Sequence, residues 1–442
     1  MKTILTLLLT TSMWVMLHAQ NQSTTNSPSG FVRLNSALSY QMLEGNQDLR
    51  KTSILLNALK EGQLEPGNLY LGASIVSIVD YQKSNTDSKF AYLMRHPTAN
   101  NEIGETVSEA VIHSVQLGIT APINSWLTGY MEVLYDPEQS FGAGTITALG
   151  RNQLQLRKGY LLVGDLNKFP VYLAIGKMDG PYGQTNSVSP FTNSTMWHAF
   201  GTLGFGALVG FNSGGFDASF MAVQGGAQFR ALNAPVEGTS VPSRLNNFIA
   251  DANYTLTFGA SSSFTFGASY VHGTNYCQEW PIAHFQPCDD NNPASSFYGR
   301  LNIGEKFLLK GAFSKTKNVW PGTHNPNPPL DQYAASEVSS LDAGARYVFN
   351  PNSSVVYALS GEFSNFVAGD DGAPWERQNQ LVFGFSAFMN NSAMLFAEVF
   401  NTQGYAPLNF ISGGDDPNNP GTTHSVRDAN SIGIVLGGRL TL

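Results

Sequence analysis

The chain of 442 residues carries 32 acidic and 24 basic side chains, which gives a formal net charge of -8. Only 13% of its residues are charged, about half the share found in soluble domains, while 44 are glycine and 12% are aromatic. The acidic balance argues against a nucleic-acid partner. Short alternating strands that face lipid would explain both the low charge and the many glycine and aromatic residues.

The first residues have the three parts of a secretory signal peptide. Met1 and Lys2 form a basic start, Ile4 to Leu17 is mostly apolar, and Ala19 is the small residue expected at a cleavage site. No cysteine follows that site, as a lipoprotein would require. No later apolar run reaches the ~20 residues of a membrane-spanning helix. We therefore expect residues 1–19 to be a cleaved signal.

Residues 20–66 predict a short periplasmic tail. Residues 20–30 are rich in Ser, Thr and Asn, which is typical of disorder. Residues 31–62 have apolar side chains at helical spacing, interrupted at Gly45, and indicate a short helical or coiled-coil segment. This tail is too short for a typical plug domain, so we expect an open or loop-gated channel behind it.

Residues 67–442 predict a transmembrane β-barrel. The last twelve residues show the pattern best, because apolar side chains alternate with small or polar ones from Ser431 to Leu442. Tight turns and long polar loops alternate between the predicted strands, as they do in outer-membrane barrels. The fold class is therefore all-β, a 16-stranded antiparallel transmembrane barrel. The predicted strands are 69–81, 111–121, 126–135, 153–163, 171–178, 198–211, 216–228, 247–258, 264–273, 295–303, 307–317, 339–349, 354–367, 379–389, 393–401 and 431–442.

Strand alternation places a set of charged side chains on the lumen face. They could form opposing charge rings that set selectivity, or they could only solvate and brace the wall. One strand breaks the pattern, because Lys158 falls on the lipid face, and this predicts a β-bulge or a register error. The lumen candidates are Glu132, Arg157, Asp217, Asp251, Arg300, Lys310, Asp342, Arg346, Glu362, Glu398 and Arg439.

The loop 179–197 has the position of an outer loop that folds into the channel of many sixteen-stranded barrels. It is mostly uncharged, and Tyr182, Phe191 and Trp197 are its constriction candidates. These rings could stack on a sugar or an aryl-bearing chelate, or they could serve only to pack the loop. Cys277 and Cys288 lie in one polar loop of an exported chain and predict a local disulfide.

The sequence offers little support for catalysis or metal binding. No hydrolase or metalloprotease motif is present, and the nearest candidate pair, Ser269 and His272, has no carboxylate close in sequence. Asp370-Asp371 and residues 415–419 are rich in oxygen but do not match a calcium loop. We therefore expect no enzyme activity, no cofactor and no metal site.

Several features together resemble the LbtU-type siderophore porins of Gram-negative bacteria. They are the signal peptide, the short helical tail, G-N-L-Y-L-G at 67–72, G-K-M-D-G-P-Y-G at 176–183, and sixteen strands without a plug domain. The tail departs from the family, whose coiled coil is clearer. The resemblance implies uptake of an iron-loaded polycarboxylate siderophore.

The predicted function is facilitated diffusion of a small polar solute across the bacterial outer membrane, with a ferric siderophore of polycarboxylate type as the first candidate. A general or carbohydrate-type diffusion porin is the alternative. The expected partners are this solute and outer-membrane lipid, with no nucleic acid, and the sequence is compatible with both a monomer and a homo-trimer.

Overall fold

A computed structural model describes residues 30–46, 49–87, 104–135, 154–224, 229–230, 245–259, 261–277, 290–390, 392–405, 422–423 and 425–442. The predicted signal peptide and nearly all of the predicted disordered segment lie outside these residues. No helix in the described ranges combines the length and the apolar character needed to cross a membrane.

The described residues form a closed antiparallel barrel of sixteen strands, as predicted. Two further strands, β1 and β9, are short and lie beside it. The first seven barrel strands are β2 (Leu69–Ser84), β3 (Thr106–Pro122), β4 (Leu127–Tyr135), β5 (Leu154–Val163), β6 (Val171–Met178), β7 (Thr202–Ser213) and β8 (Phe216–Gln224), and the short strands are β1 (Val32–Leu34) and β9 (Phe229–Arg230). The remaining nine are β10 (Leu245–Phe258), β11 (Ser262–Val271), β12 (Ala294–Ile303), β13 (Phe307–Trp320), β14 (Ser336–Val348), β15 (Val355–Val367), β16 (Arg377–Met389), β17 (Ala393–Tyr405) and β18 (Val426–Thr441).

The last strand closes the barrel against the first barrel strand. Strand β18 pairs antiparallel with β2, from Ser431 opposite Ser84 to Thr441 opposite Ser74. Elsewhere in the ring, β8 pairs directly with β10, and β9 pairs with Thr202 and Leu203 at the start of β7. Closure leaves no unpaired edge, which is the condition for strands to cross a bilayer.

The two faces of the wall differ as the alternation predicted. In β18, Ile432, Ile434 and Leu436 are exposed on the outer surface, whereas Ser431 and Val435 point inward and are buried. The same pattern recurs around the ring and gives an apolar belt for lipid. Three predicted strand starts are displaced by four or five residues. Strand β3 begins at Thr106 rather than 111, β18 begins at Val426 rather than 431, and β7 begins at Thr202 rather than 198 because a short helix precedes it.

Three helices belong to the interior rather than to the wall. They are α1 (Ser36–Leu43), α2 (Lys51–Lys60) and α3 (Thr195–Phe200), and two 3-10 turns, Pro321–Thr323 and Leu330–Gln332, lie in another connection. The Asn35 side chain caps α1 by accepting a hydrogen bond from Leu38 N at 3.0 Å. Helices this short are marginal in water, so packing against the wall must stabilise them.

The interior differs from the predicted water-filled channel. A continuous apolar cluster joins Leu55 and Leu56 of α2 to Tyr160 and Leu162 of β5 and to Phe200 of α3. All five side chains are buried. The sequence-based rule that sixteen strands enclose open water fails here, because residues from α1, α2 and the loop before α3 fill much of the space.

Candidate functional site

Helices α1 and α2 lie inside the barrel, where we had expected a tail outside it. Strand β1 runs parallel to the first residues of β2, with Val32 opposite Leu69, and α1 follows directly. The carbonyl of Lys60, at the end of α2, accepts a hydrogen bond from the Asn167 side chain of a short turn. Outer-membrane barrels place such turns in the periplasm. The described residues 36–46 and 49–60 are called here the plug, which therefore begins and ends at the periplasmic mouth.

Glycines in the wall make room for the plug. A Cβ at Gly72 would lie only 2.7 Å from Ser39 Cβ, and one at Gly118 would lie 3.2 Å from Leu43 Cδ2. A side chain at Gly72 would therefore collide with α1, and one at Gly118 would press on it. The G-N-L-Y-L-G stretch thus positions the plug as well as opening the barrel.

Arg50 attaches the plug to one side of the ring. Its guanidinium lies 2.7 Å from Asp251 Oδ2 on β10 and 3.8 Å from Asp217 Oδ1 on β8. Asp251 is also held by the Ser269 hydroxyl at 2.5 Å and the Tyr298 hydroxyl at 2.8 Å. A guanidinium between two carboxylates is a favourable arrangement for a buried ion pair, because its several donors reach both partners.

Lys51 attaches the plug to strand β4, which lies four strands from β8 in the ring. Its ammonium lies 2.8 Å from Glu132 Oε2, and the carboxylate is completely buried. Glu132 also accepts hydrogen bonds from Tyr130 at 3.2 Å and Gln116 at 3.3 Å, and Arg157 Nε lies 3.6 Å away. Burial lowers the pKa of Lys51 to about 8, although the Glu132 carboxylate opposes this shift.

Glu44 makes the third attachment, to the last strand. Its carboxylate pairs with Arg439 of β18, whose guanidinium also lies 5.7 Å from the centre of the Tyr40 ring. Burial alone would raise the pKa of Glu44, but the charge and hydrogen bonds of Arg439 outweigh burial and hold that pKa below its usual value. The negative charge of the buried Glu44 side chain is therefore stabilised by Arg439.

The loop 179–197 contacts wall side chains of β15 and β17 inside the barrel, and we call it the constriction loop. Glu362 of β15 accepts hydrogen bonds from Ser187 Oγ and Val188 N, both at 2.6 Å. Glu398 of β17 accepts one from Phe191 N at 2.7 Å and others from Thr192. Two wall carboxylates therefore hold the loop in place by accepting hydrogen bonds from its backbone amides.

A cluster of buried charges on the wall also contacts the constriction loop. Lys310 Nζ lies 2.7 Å from Asp342 Oδ2 and 3.7 Å from Glu362 Oε2, and it donates to the carbonyl of Asn186. These charges are buried almost completely. They therefore brace the wall and the loop rather than face a solute.

The three constriction candidates have different surroundings. Phe191 stacks on Phe396 of the wall, with ring centres 5.2 Å apart, and Tyr182 is 97% covered and packs against Phe200. Trp197 is partly exposed and lines a cavity, whereas Phe191 is partly exposed but does not line it. Two of the three rings therefore pack the loop, which was the simpler of our two interpretations.

A cavity of about 320 Å³ remains between the plug, the constriction loop and strands β5 to β12. Five basic side chains and three acidic ones of the described residues line it. The basic ones are Arg50, Lys51, Arg157, Lys158 and Arg300, and the acidic ones are Glu44, Asp179 and Asp217. A polar cavity of this size, with an excess of cations, suits a small anion.

The predicted irregularity in β5 is a β-bulge that builds this wall. Glu132 pairs with Lys158 and Val133 pairs with Leu156, so Arg157 is the extra residue. The bulge turns Lys158 inward, where its ammonium lies 2.5 Å from Asp179, and leaves Leu156 exposed to lipid. Two adjacent cations thereby reach the cavity from one strand.

The predicted lumen residues thus separate into three groups. Glu132, Asp217, Asp251 and Arg439 bind the plug, and Lys310, Asp342, Glu362 and Glu398 bind the constriction loop or its support. Arg157 and Arg300 line the cavity, together with Asp217. Arg346 lies on the same face of β14 as Asp342, nearer the periplasmic end.

The sequence reasoning missed the plug residues Glu44, Arg50 and Lys51. Their signal was present, because short helices with apolar faces need a surface to cover, and Arg50-Lys51 has no acidic neighbour in its own helix. The disulfide candidates are only partly described. Cys277 is disulfide-bonded, while Cys288 lies outside the described residues.

Ser269 and His272, the candidate catalytic pair, bind different partners. The Ser269 hydroxyl binds Asp251 and accepts from Gly183 N at 2.8 Å, whereas the His272 ring lies 2.8 Å from the Asn291 side chain. Asp370 accepts hydrogen bonds from Ala334 N and Ser336 Oγ, and residues 415–419 lie outside the described residues. Among the described residues, no group of three or more His, Cys, Asp or Glu side chains could hold a metal ion.

Solved outer-membrane channels share this architecture. The anion-selective porin from Comamonas acidovorans matches with a TM-score of 0.50 at 11% identity, covering 85% of this chain and 99% of that one. OprB from Pseudomonas putida matches with a TM-score of 0.51 at 8% identity, covering 84% and 94%. The chain has the fold of the outer-membrane porins. With its apolar belt, this fold places the protein in the bacterial outer membrane.

Sequence comparison adds little to the structural likeness. A UPF0422 protein of Coxiella burnetii is 28% identical over 65 residues, which is 15% of this chain and only 12% of that protein. No family model matches the sequence. The porin likeness therefore rests on the fold.

Proposed function

We propose that the protein is an outer-membrane channel for a small anionic solute, and that the first candidate is a ferric siderophore of polycarboxylate type. The supporting observation is the cavity, whose wall carries Arg50, Lys51, Arg157, Lys158 and Arg300. Carboxylates bind guanidinium groups through paired, charge-assisted hydrogen bonds. A polycarboxylate chelate offers several such groups around one metal.

Transport in this proposal is facilitated diffusion without a chemical step. The excess of cations raises the local concentration of anions. Asp179 and Asp217 keep the binding weak enough for release, since conduction needs sites that a solute can both enter and leave. The uptake of the iron chelate also follows from the resemblance to the LbtU-type siderophore porins.

A general or carbohydrate-type porin is the second candidate. Trp197 presents part of its ring to the cavity, and Gln184, Thr185 and Asn186 of the constriction loop add uncharged polar groups beside it. An aromatic face next to hydrogen-bonding groups suits a sugar ring. The arginine-rich wall favours the anion over this alternative.

Reversal potentials in planar bilayers separate the two candidates. With a KCl gradient across the membrane, the anion channel is expected to prefer chloride, and a ferric polycarboxylate chelate added to one side should reduce the current. Arg157→Gln and Arg300→Gln should both weaken this preference, while Lys168→Gln should not, since Lys168 pairs with Asp165 in a turn away from the cavity. A cation preference, or block by neutral sugars alone, would rule out the anion assignment.

A further inference from the structure

We propose that the plug is a gate, and that an anionic solute opens the channel by competing for the two cations that attach it to the wall. This inference rests on the proposed function, because it assigns the regulation of the same cavity.

The plug controls the width of the cavity. Seven of the residues that line the cavity belong to the plug, and the constriction loop and the barrel wall supply the others. Removing the plug from the periplasmic mouth would therefore open a path beside the constriction loop. The plug residues that line the cavity are Glu44, Gly45, Leu49, Arg50, Lys51, Ser53 and Asn57.

The plug is attached in a way that allows release. Among the described residues its main chain joins the sheet only through the three parallel pairs of β1 with β2. Its ion pairs with the wall are those of Glu44, Arg50 and Lys51. The carbonyls of Met42 and Lys60 also accept hydrogen bonds from wall side chains, and apolar side chains of α1 and α2 pack into the buried cluster. The constriction loop differs, since Glu362 and Glu398 bind its backbone amides. The plug is therefore the element that three ion pairs join to the wall.

The two cations that attach the plug to the wall also line the cavity proposed to bind the solute. Arg50 and Lys51 both line the cavity, and the Arg50 side chain is 23% exposed there. A polycarboxylate bound at these groups would replace Asp251 and Glu132 as their counter-ions. A ligand shifts the equilibrium between the docked and the released plug only if it binds one of them more tightly. A solute that binds Arg50 and Lys51 in place of the wall carboxylates binds the released plug more tightly, and it therefore favours release. Solute binding and plug release are therefore coupled in both directions.

The test is single-channel recording of the refolded mature chain and two neutralised variants, Glu44→Gln and Arg50→Gln. Loss of one attachment should raise the open probability roughly tenfold, because an ion pair that holds only the docked plug is removed. The matched control is again Lys168→Gln, which should behave as the unaltered chain does. The exchange Glu44→Arg with Arg439→Glu should restore the low open probability that either change alone abolishes.

A covalent lock makes the test independent of these variants. The double variant Ser39→Cys/Gly72→Cys places two Cβ atoms close enough for a disulfide after a small outward shift of α1. The oxidised channel should stay at the low-conductance level even with a ferric polycarboxylate present, and reductant should release it. Unaltered chain treated with reductant controls for the native disulfide at Cys277.

The outcomes distinguish the gate from the solute assignment. Larger openings in the neutralised variants and in the reduced lock, without chloride preference or chelate block, would support the gate and remove the anionic solute. Chloride preference and chelate block in a channel whose locked and neutralised forms conduct as the unaltered chain does would overturn the gate and leave the proposed function standing.

Discussion

The ammonium of Lys51 lies 2.8 Å from the carboxylate of Glu132, which joins the plug to strand β4 across 81 positions of sequence. Both groups are buried, and Tyr130, Gln116 and Arg157 surround the carboxylate. A single wall residue thus collects contacts from the plug, from β3 and β4, and from the bulge of β5. Three of the predictions below depend on attachments of this kind.

Replacing Glu132 with Gln should destabilise the folded barrel by about 3 kcal/mol, because Lys51 and Arg157 would lose their buried counter-ion. Denaturant unfolding in detergent, followed by tryptophan fluorescence, measures the change. The control is Glu337→Gln, whose carboxylate pairs with Lys315 at an exposed site and should cost less than about 1 kcal/mol. Equal losses in the two variants would show that Glu132 is not a structural centre.

Acid should loosen the plug through Glu44. Its pKa is below the usual value in the docked plug, so its contribution to docking is present above the usual pKa and is lost as the pH falls through the lowered one. Arg439 and Tyr40 are the charged and titratable groups facing it. Open probability should rise as the pH falls below the usual glutamate pKa of 4.5 and through the lowered one.

The comparison with Glu44→Gln isolates this effect, since other carboxylates titrate over the same range. The variant should already open more often near neutral pH and should lack the part of the acid response that Glu44 contributes. Identical acid responses in the two channels would show that Glu44 does not control the plug.

Alkaline pH should tighten the plug through Lys51. Its pKa is about 8 in the docked plug and returns toward 10.5 in water, so the released plug binds more protons between these values. Raising the pH across that window therefore favours docking, and open probability should fall. Glu132, Arg157, Lys158 and Asp179 act on this lysine. The channel with Lys51→Gln should show no such fall, and a rise with pH in the unaltered channel would contradict the assignment.

A valine at Gly72 should push the plug out of its seat. The new side chain would overlap Ser39 of α1, whereas Gly311 has no atom closer than 3.9 Å to the corresponding Cβ position. Gly72→Val is therefore expected to increase conductance, and the matched Gly311→Val to leave it unchanged. Current recordings and the heat-dependent gel mobility of the folded barrel would be compared, and unchanged current with an intact Gly72→Val barrel would argue against the seat.

Much of the wall could be predicted from the sequence, because each strand shows its lipid face by a local period of two. The closing strand from Ser431 and the bulge marked by Lys158 are both confirmed by the pairing with β2 and β4. Alternation also placed Glu132 and Asp251 on the inner face. These features are local in sequence, so a single chain is enough to find them.

The contents of the lumen could not be predicted in the same way. Helical spacing indicated α1 and α2, but nothing local showed that Arg50 would meet Asp251 about two hundred positions later. Counting residues before the barrel excluded a plug domain and overlooked that two short helices suffice when glycines such as Gly72 make room. The roles of the wall charges followed from these distant contacts.

The position of the plug in the membrane is tested most directly by disulfide formation between thiols at positions 39 and 72, introduced as Ser39→Cys and Gly72→Cys and examined in intact outer membranes. Near-complete cross-linking, seen as a disulfide-linked peptide pair by mass spectrometry, is the expected result, with none in the matched pair Ser39→Cys/Gly311→Cys. Absence of the cross-link, together with full reaction of the thiol at position 39 with a water-soluble maleimide, would place the helices outside the barrel.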